Sequence, residues 1–367
     1  MLELFKVKNF KNFKEELILN LANIKDYEFN TEAISNGIIN KAIIYGINAS
    51  GKSNLGYAIF DIIKHTSDKE SVIQFYTNYK NAENINKPVE FYYKFKFGND
   101  YVEYFYNKDD HYIPIFEEVK INNETVIKYD YKSIPIIKLK EAENLKRKIE
   151  NVNLSIVKYI KNNVNYSKKS ILGKFFNFID NMLWFRALRD NAYMGFQIGS
   201  TNLSEYIINN RLTEKFQNFL GKFKITGEIS TITDVMGRGK LAFKFGENKI
   251  PFDEIASSGT SALWLFFVWY EQLKNVSFLF IDEFDAYYHQ DLSEDIVKLL
   301  IKNAKKVQTI FTTHSTSLMT NDLLRPDCYF ILDNNKIKQL FDLTEKELRR
   351  SHNLEKMYRA GVFYEEN

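Results

Sequence analysis

An α/β fold with a parallel core sheet, an antiparallel β lobe and a helical insertion is predicted by three observations. A short apolar run, Ala42-Ile43-Ile44-Tyr45, enters a glycine-bounded loop that opens a helical stretch from about Lys52 to His65. From Phe278 onward, strand-like apolar runs alternate with helical periodicity, the pattern of parallel sheets. Between these halves the period is two over residues 88–129 and becomes helical from about 137 to 222.

Each element has its local reason. Leu2 to Val7 alternates as a strand, Lys8 to Phe13 reads as a turn, and Leu17 to Leu21 reads as a second strand. Val89 to Phe97, a Gly98-Asn99-Asp100 turn and Tyr101 to Tyr106 form a hairpin pattern. Ala142, Leu145, Ile149, Val152, Ile156 and Tyr159 recur at alternating threes and fours, a seam for a core-facing helix or a short coiled-coil contact. The aromatic runs Phe175-Phe176-Asn177-Phe178 and Trp184-Phe185 read as core, and Lys138, Lys140, Lys146, Arg147 and Lys148 as a solvated face. Residues 226–252 return to strand chemistry. Strands are then expected at Phe278–Asp282, Gln308–Thr313 and Tyr329–Leu332, with a helix at Leu292–Ile301. The expected domain organisation is 1–130, 131–225 (the helical insertion), 226–345 and a tail at 346–367.

Composition narrows the class. With 45% hydrophobic and 26% charged residues the chain reads as soluble and globular. No stretch approaches the roughly 20 apolar residues that span a bilayer, so no membrane partner is expected. The first residues lack the apolar core of a signal peptide. The single cysteine, Cys328, excludes an internal disulfide, and a cytoplasmic location is expected. A net charge of +3 neither requires nor excludes a local nucleic-acid patch.

Four segments carry chemistry. Gly46-Ile47-Asn48-Ala49-Ser50-Gly51-Lys52-Ser53 fits G-x-x-x-x-G-K-[ST] without mismatch, after an apolar strand and before a helix. Backbone N–H groups at such a turn, together with the helix N-terminus, favour phosphate anions. Lys52 is expected to reach the β- and γ-phosphates and Ser53 to ligate Mg²⁺. Phe278-Leu279-Phe280-Ile281 delivers Asp282 and Glu283 at a strand end, where ligand crevices form. Asp282 is expected to hold Mg²⁺ and Glu283 to act as general base toward water. Ile310 to Ser315 is another apolar strand ending in a polar turn, which places His314 as a candidate for the γ-phosphate. Ser257-Ser258-Gly259-Thr260 opens an apolar helix and reads locally as an N-capped start or a second anion-binding end.

The order and spacing of these segments resemble ABC-type ATPases, implying an ABC-ATPase head. The resemblance implies that Ser258 and Gly259 touch a γ-phosphate held by another subunit, and that Asp285 is the residue of the D-loop. Asn9-Phe10-Lys11-Asn12-Phe13 resembles the opening of SMC, RecF and OLD-type ATPases. Asn48, Asn54, the segment from Phe284 to His289, Leu324-Arg325-Pro326-Asp327 and the run from Leu354 to Gly361 resemble AAA-family ATPases of anti-phage defence. The ATPase subunits of PARIS, Septu and retron-linked or RloA-like systems are of this kind. The middle of the chain, 130–225, carries no matching motif. Gln74 is the candidate for the Q-loop glutamine.

What the resemblance implies is an Mg²⁺-dependent ATPase with ATP sites between subunits, a homodimer or larger homo-oligomer. It implies a sensor or motor in defence, with DNA or a phage protein as trigger. The segment after Leu332 is too short for a nuclease domain, so a separately encoded effector, a nuclease, is expected. The alternative is a RecF- or SMC-like DNA-maintenance ATPase. A GTPase is disfavoured because Asp333-Asn334-Asn335-Lys336 is not an Asn-Lys-x-Asp base reader. A non-hydrolysing scaffold would show no nucleotide turnover.

Overall fold

A computed structural model describes residues 1–68, 78–110, 113–139, 142, 145, 153–186, 192–195, 202–285 and 288–363. Two seven-stranded sheets organise these residues. The core sheet runs in the order Ala192–Gly195, Met182–Arg186, Phe278–Ile281, Gln308–Thr313, Lys41–Tyr45, Tyr329–Asp333, Lys336–Gln339. Its five inner strands are parallel, and the two edge strands pair antiparallel. Lys41–Tyr45 and Gln308–Thr313 are buried along their whole length. That explains why Ala42 to Tyr45 reads as a continuous apolar run rather than an alternating one, while Gln308–Thr313 buries its glutamine and threonines as well.

The second sheet is antiparallel. It joins Leu2–Lys8 and Leu17–Asn20 to the strands Val89–Phe97, Asp100–Asp110, Ile113–Ile121, Glu124–Tyr129 and Ile136–Ile137. Its alternation is visible in Val89, Phe91, Tyr93 and Phe95, all 0% exposed on one face.

The helix Lys52–Thr66 lies between the two sheets and buries residues on every side. Toward the core sheet it approaches through Gly56, where a Cβ would meet Phe280 and Trp184 at 2.9 Å. Toward the antiparallel sheet, the Tyr93 hydroxyl donates to its Ala58 carbonyl at 2.9 Å. The helix that opens the phosphate loop is therefore fixed from both sides.

Two expectations need correction. The segment from 137 to 222 is not uniformly helical, because Met182–Arg186 is an inner strand of the core sheet, parallel to Phe278–Ile281. Thus the stretch read as a helical insertion, 131–225, contributes to the central sheet. Trp184 and Phe185 are 1% and 3% exposed there, as the core reading required. Four apolar or aromatic residues in a row, Met182 to Phe185, all buried in a sheet, carry no period that separates them from a helix segment. The seam through Tyr159 is also not one helix. Ser155 caps a helix that starts only at Ile156, its hydroxyl accepting from Lys158 N–H. Ile149 and Val152, with Lys140, Lys146, Arg147 and Lys148, lie outside the described residues.

Residues 226–252 form a three-stranded antiparallel sheet, Glu228–Thr233, Gly239–Phe245 and Asn248–Pro251. It leads through the short helix Phe252–Ile255 into the helix Ser258–Gln272. The latter packs its Trp269 on Phe185, with ring centroids 5.5 Å apart. Asn334 and Asn335 have positive φ, as a two-residue hairpin between Tyr329–Asp333 and Lys336–Gln339 demands. Among the described residues no helix is long and apolar enough to cross a membrane.

Candidate functional site

The site forms where the buried strands end. Lys41–Tyr45 continues into Gly46, whose N–H donates to Thr313 O at 3.2 Å. A Cβ on Gly46 would lie 2.4 Å from Ser50 Oγ and 2.9 Å from Leu332 O, so the loop closes only over glycine. The loop then turns through Ala49 at φ 64° and Gly51 at φ 103° before Lys52 starts the helix. Such a conformation exposes successive N–H groups to an anion.

The Asn12 side chain braces this loop. The Asn54 amide donates to Asn12 Oδ1 at 2.6 Å, and the Asn12 amide donates to Asn335 Oδ1 at 2.6 Å. Any Cβ on Gly51 would sit 2.5 Å from Asn12 Nδ2. The turn after the first strand is thus built against the phosphate loop, and the Asn334–Asn335 hairpin closes the same contact.

Lys52 Nζ donates to the Gly46 and Ile47 carbonyls at 2.7 and 3.0 Å. Burial pulls its pKa down, while Glu283, Asp282 and Asp285 oppose that shift. The same three acids come from the end of Phe278–Ile281, so the loop lysine and the acidic turn share one electrostatic neighbourhood. Asp282 is 2% exposed. Burial raises its pKa, opposed by hydrogen bonds from the Ser53 and Thr312 hydroxyls. Thr312 Oγ1 lies 2.5 Å from Asp282 Oδ1 and 2.9 Å from Glu283 N, which donates to it. Glu283 has φ 48°, a left-handed conformation that a non-glycine residue adopts at a cost and that recurs at functional turns. Thr313 Oγ1 donates to Asp285 Oδ2 at 2.7 Å and accepts from Ser315 N.

The arrangement fits a triphosphate and a hard divalent cation. Ser50 Oγ and Asp285 Oδ1 are buried with no hydrogen-bond partner. A buried carboxylate paired to a serine hydroxyl, Asp282 with Ser53, is an oxygen donor set for Mg²⁺. The described residues hold no cluster of three or more His, Cys, Asp or Glu of the kind that binds a metal by itself.

Lys52, Ser53, Asp282, Glu283 and Asp285 are brought together. Asn48 and Ala49 are exposed on the loop, and His314 is exposed one residue beyond Thr313. Ser258 and Gly259 do not join this cluster. Their helix start is capped locally by Ser257, whose hydroxyl accepts from Thr260 N–H at 3.2 Å, and Ser258 is exposed. Gln74, Ala286 and Tyr287 lie outside the described residues. Thr312 and Thr313 were not singled out by sequence reasoning. The available signal was the pair of hydroxyls just before His314, following the apolar pair Ile310-Phe311.

A protein-family profile described as "AAA domain, putative AbiEii toxin, Type IV TA system" matches residues 41–320. No curated protein sequence matches the chain. Among solved structures, it is similar to an SMC head bound to the C-winged helix domain of ScpA. That likeness has 17% identity over 92% of this chain and 96% of the other, with a TM-score of 0.48. The SMC head domain from Thermotoga maritima has 16% identity over 92% and 97%, with a TM-score of 0.44. A Smc head with an extended coiled coil, bound to a ScpA C-terminal domain derived from Pyrococcus furiosus, has 14% identity over 92% and 95%, with a TM-score of 0.45.

Proposed function

The chain belongs to this AAA-domain family, and from that premise we propose that it hydrolyses ATP with Mg²⁺ in ABC fashion, at sites completed by a second subunit. The observation that carries the reading is the meeting of Lys52 and Ser53 with Asp282, Glu283 and Asp285 at the ends of the two buried strands that flank Gln308–Thr313.

Each residue has a task. Backbone N–H groups from Asn48 to Ser53 hold the phosphates, and Asn54 follows them under the brace from Asn12. Lys52 leaves its loop carbonyls to pair with the β- and γ-phosphates. Ser53 and Asp282 would hold Mg²⁺, which supplies charge neutralisation on the phosphate oxygens. Glu283 orients the attacking water and takes its proton, and Thr312 fixes the Glu283 backbone. His314 contributes a donor toward the γ-phosphate, and Asp285 lies at the subunit junction. Ser258, exposed, and Gly259, half-buried, lie outside the cluster of their own chain and are free to reach the phosphate loop of a partner.

The cellular role rests on the resemblance to defence ATPases. The chain acts there as sensor or motor, and a separately encoded nuclease is held or released as the nucleotide state changes. Turnover of radiolabelled ATP, lost in Glu283→Gln, tests the chemistry. Co-purification from the native operon tests the role: a nuclease retained in one nucleotide state supports it. Toxicity of the isolated chain without any partner would refute it. DNA-stimulated turnover without an effector would favour the DNA-maintenance reading.

A further inference from the structure

Resting on the composite-site reading, we infer that the short helix Phe252–Ile255 of a second copy docks beside the phosphate loop, into a cavity formed by the loop, the Tyr329–Gln339 hairpin and the C-terminal helix. The cavity measures about 590 Å³ and is lined by Ile47, Lys336, Lys338, Leu343 and Tyr358 among others. Its floor is fixed, because Tyr358 packs on Tyr45 with ring centroids 4.7 Å apart. Its rim carries Ile47, 60% exposed, and the exposed Lys336, with Asp333 as the cross-strand neighbour of that lysine.

The complementary surface lies on the same chain but elsewhere in the fold. Phe252 is buried and anchors the short helix, while Asp253, Glu254 and Ile255 are exposed in succession, Ile255 at 43%. Asp253 is held by Lys240 of its own chain at 3.2 Å, which leaves Glu254 and Ile255 to match Lys336 and Ile47 in charge and polarity. No ion pair among the described residues engages Glu254 or Lys336.

Chain length ties the two surfaces together. Ile255 precedes Ser258 by three residues, so it lies within roughly 11 Å of it. If the partner's signature start reaches the phosphates over residues 48–53, its Ile255 comes within about 11 Å of that contact, a reach that takes in Ile47 and the edge of the cavity. In a two-fold assembly the contact is made twice, which doubles its effect on register. The acidic helix then sets which way Ser258 and Gly259 face the loop, and the charge pairing speeds productive encounter.

The test uses the full chain carrying Glu283→Gln, with ATP-Mg²⁺, and reads the dimer dissociation constant by analytical ultracentrifugation. Glu254→Lys or Lys336→Glu alone should weaken the dimer about tenfold, and the two together should recover to within about threefold. Ile255→Asp should weaken it by at least as much, while ATP binding by each monomer stays intact. Unchanged dimerisation in Ile255→Asp, or no recovery in the charge swap, overturns the inference and leaves the composite site standing. A Glu283→Gln parent that binds ATP yet stays monomeric overturns both.

Discussion

Thr312 Oγ1 donates to the Asp282 carboxylate at 2.5 Å and accepts from the N–H of Glu283 at 2.9 Å. One hydroxyl thereby positions two successive acids. Thr312→Val should leave ATP affinity within about threefold and lower kcat by about tenfold or more, since Glu283, the proposed general base, loses its anchor. Thr312→Ser should restore kcat. Steady-state ATPase assays read this split, and an equal fall in affinity would assign Thr312 to binding instead.

The two charged ends of the site separate binding from chemistry. Lys52→Ala should abolish nucleotide binding in a fluorescent-ATP titration, because no other buried cation faces Asp282 and Glu283 among the described residues. Glu283→Gln should bind normally and lose about 10² to 10⁴ in hydrolysis, since an amide cannot accept the proton. Wild-type turnover in Glu283→Gln would remove it from the reaction.

Complementation tests the composite site. Ser258→Arg chains and Lys52→Ala chains should each be inactive alone. Mixed, they should recover part of the activity, because one of two junctions then contains both an intact loop and an intact Ser258. Mixtures that stay inactive would point to sites built within one chain.

A buried hub outside the site sets acid stability. Glu117 is 0% exposed and accepts from the Tyr104 and Ser155 hydroxyls at 2.5 and 2.9 Å and from Ile156 N–H at 2.9 Å. His65 of the phosphate-loop helix lies 3.3 Å away. Burial pushes Glu117 up, but His65 and the hydroxyl donors outweigh it and hold the pKa at about 2, below the ordinary 4.5. Burial lowers the pKa of His65 in turn, and Glu117 opposes that shift. A depressed acid stabilises fully above its unfolded value and loses that stabilisation as pH falls through the folded one. Stability from Glu117 should therefore fade between pH 4.5 and about 2. Glu117→Gln should cost about 3 kcal/mol in urea unfolding at pH 7 and flatten that acid limb.

Much of this site was legible in the chain because its parts are local. The phosphate loop is eight consecutive residues whose glycines answer steric demands within the loop itself, as Gly46 against Ser50 shows. Asp282 and Glu283 announce themselves as charges at the end of an apolar run. By contrast, Met182–Arg186 carries no marker of its own, and its place beside Phe278–Ile281 depends on a partner far along the chain.

By itself the sequence determined the nucleotide-binding chemistry, the α/β class and the strands on which Lys52, Asp282 and Thr313 sit. Turn geometry, periodicity and charge at strand ends act over a few residues, so they can be read in order. Only the tertiary structure decided that Asn12 braces Gly51 and Asn54, that Thr312 holds both acids, and that Glu117 ties the phosphate-loop helix to the start of Ile156–Asn163. These contacts join segments distant in sequence, and each is set by how buried polar groups find partners once the sheets have packed.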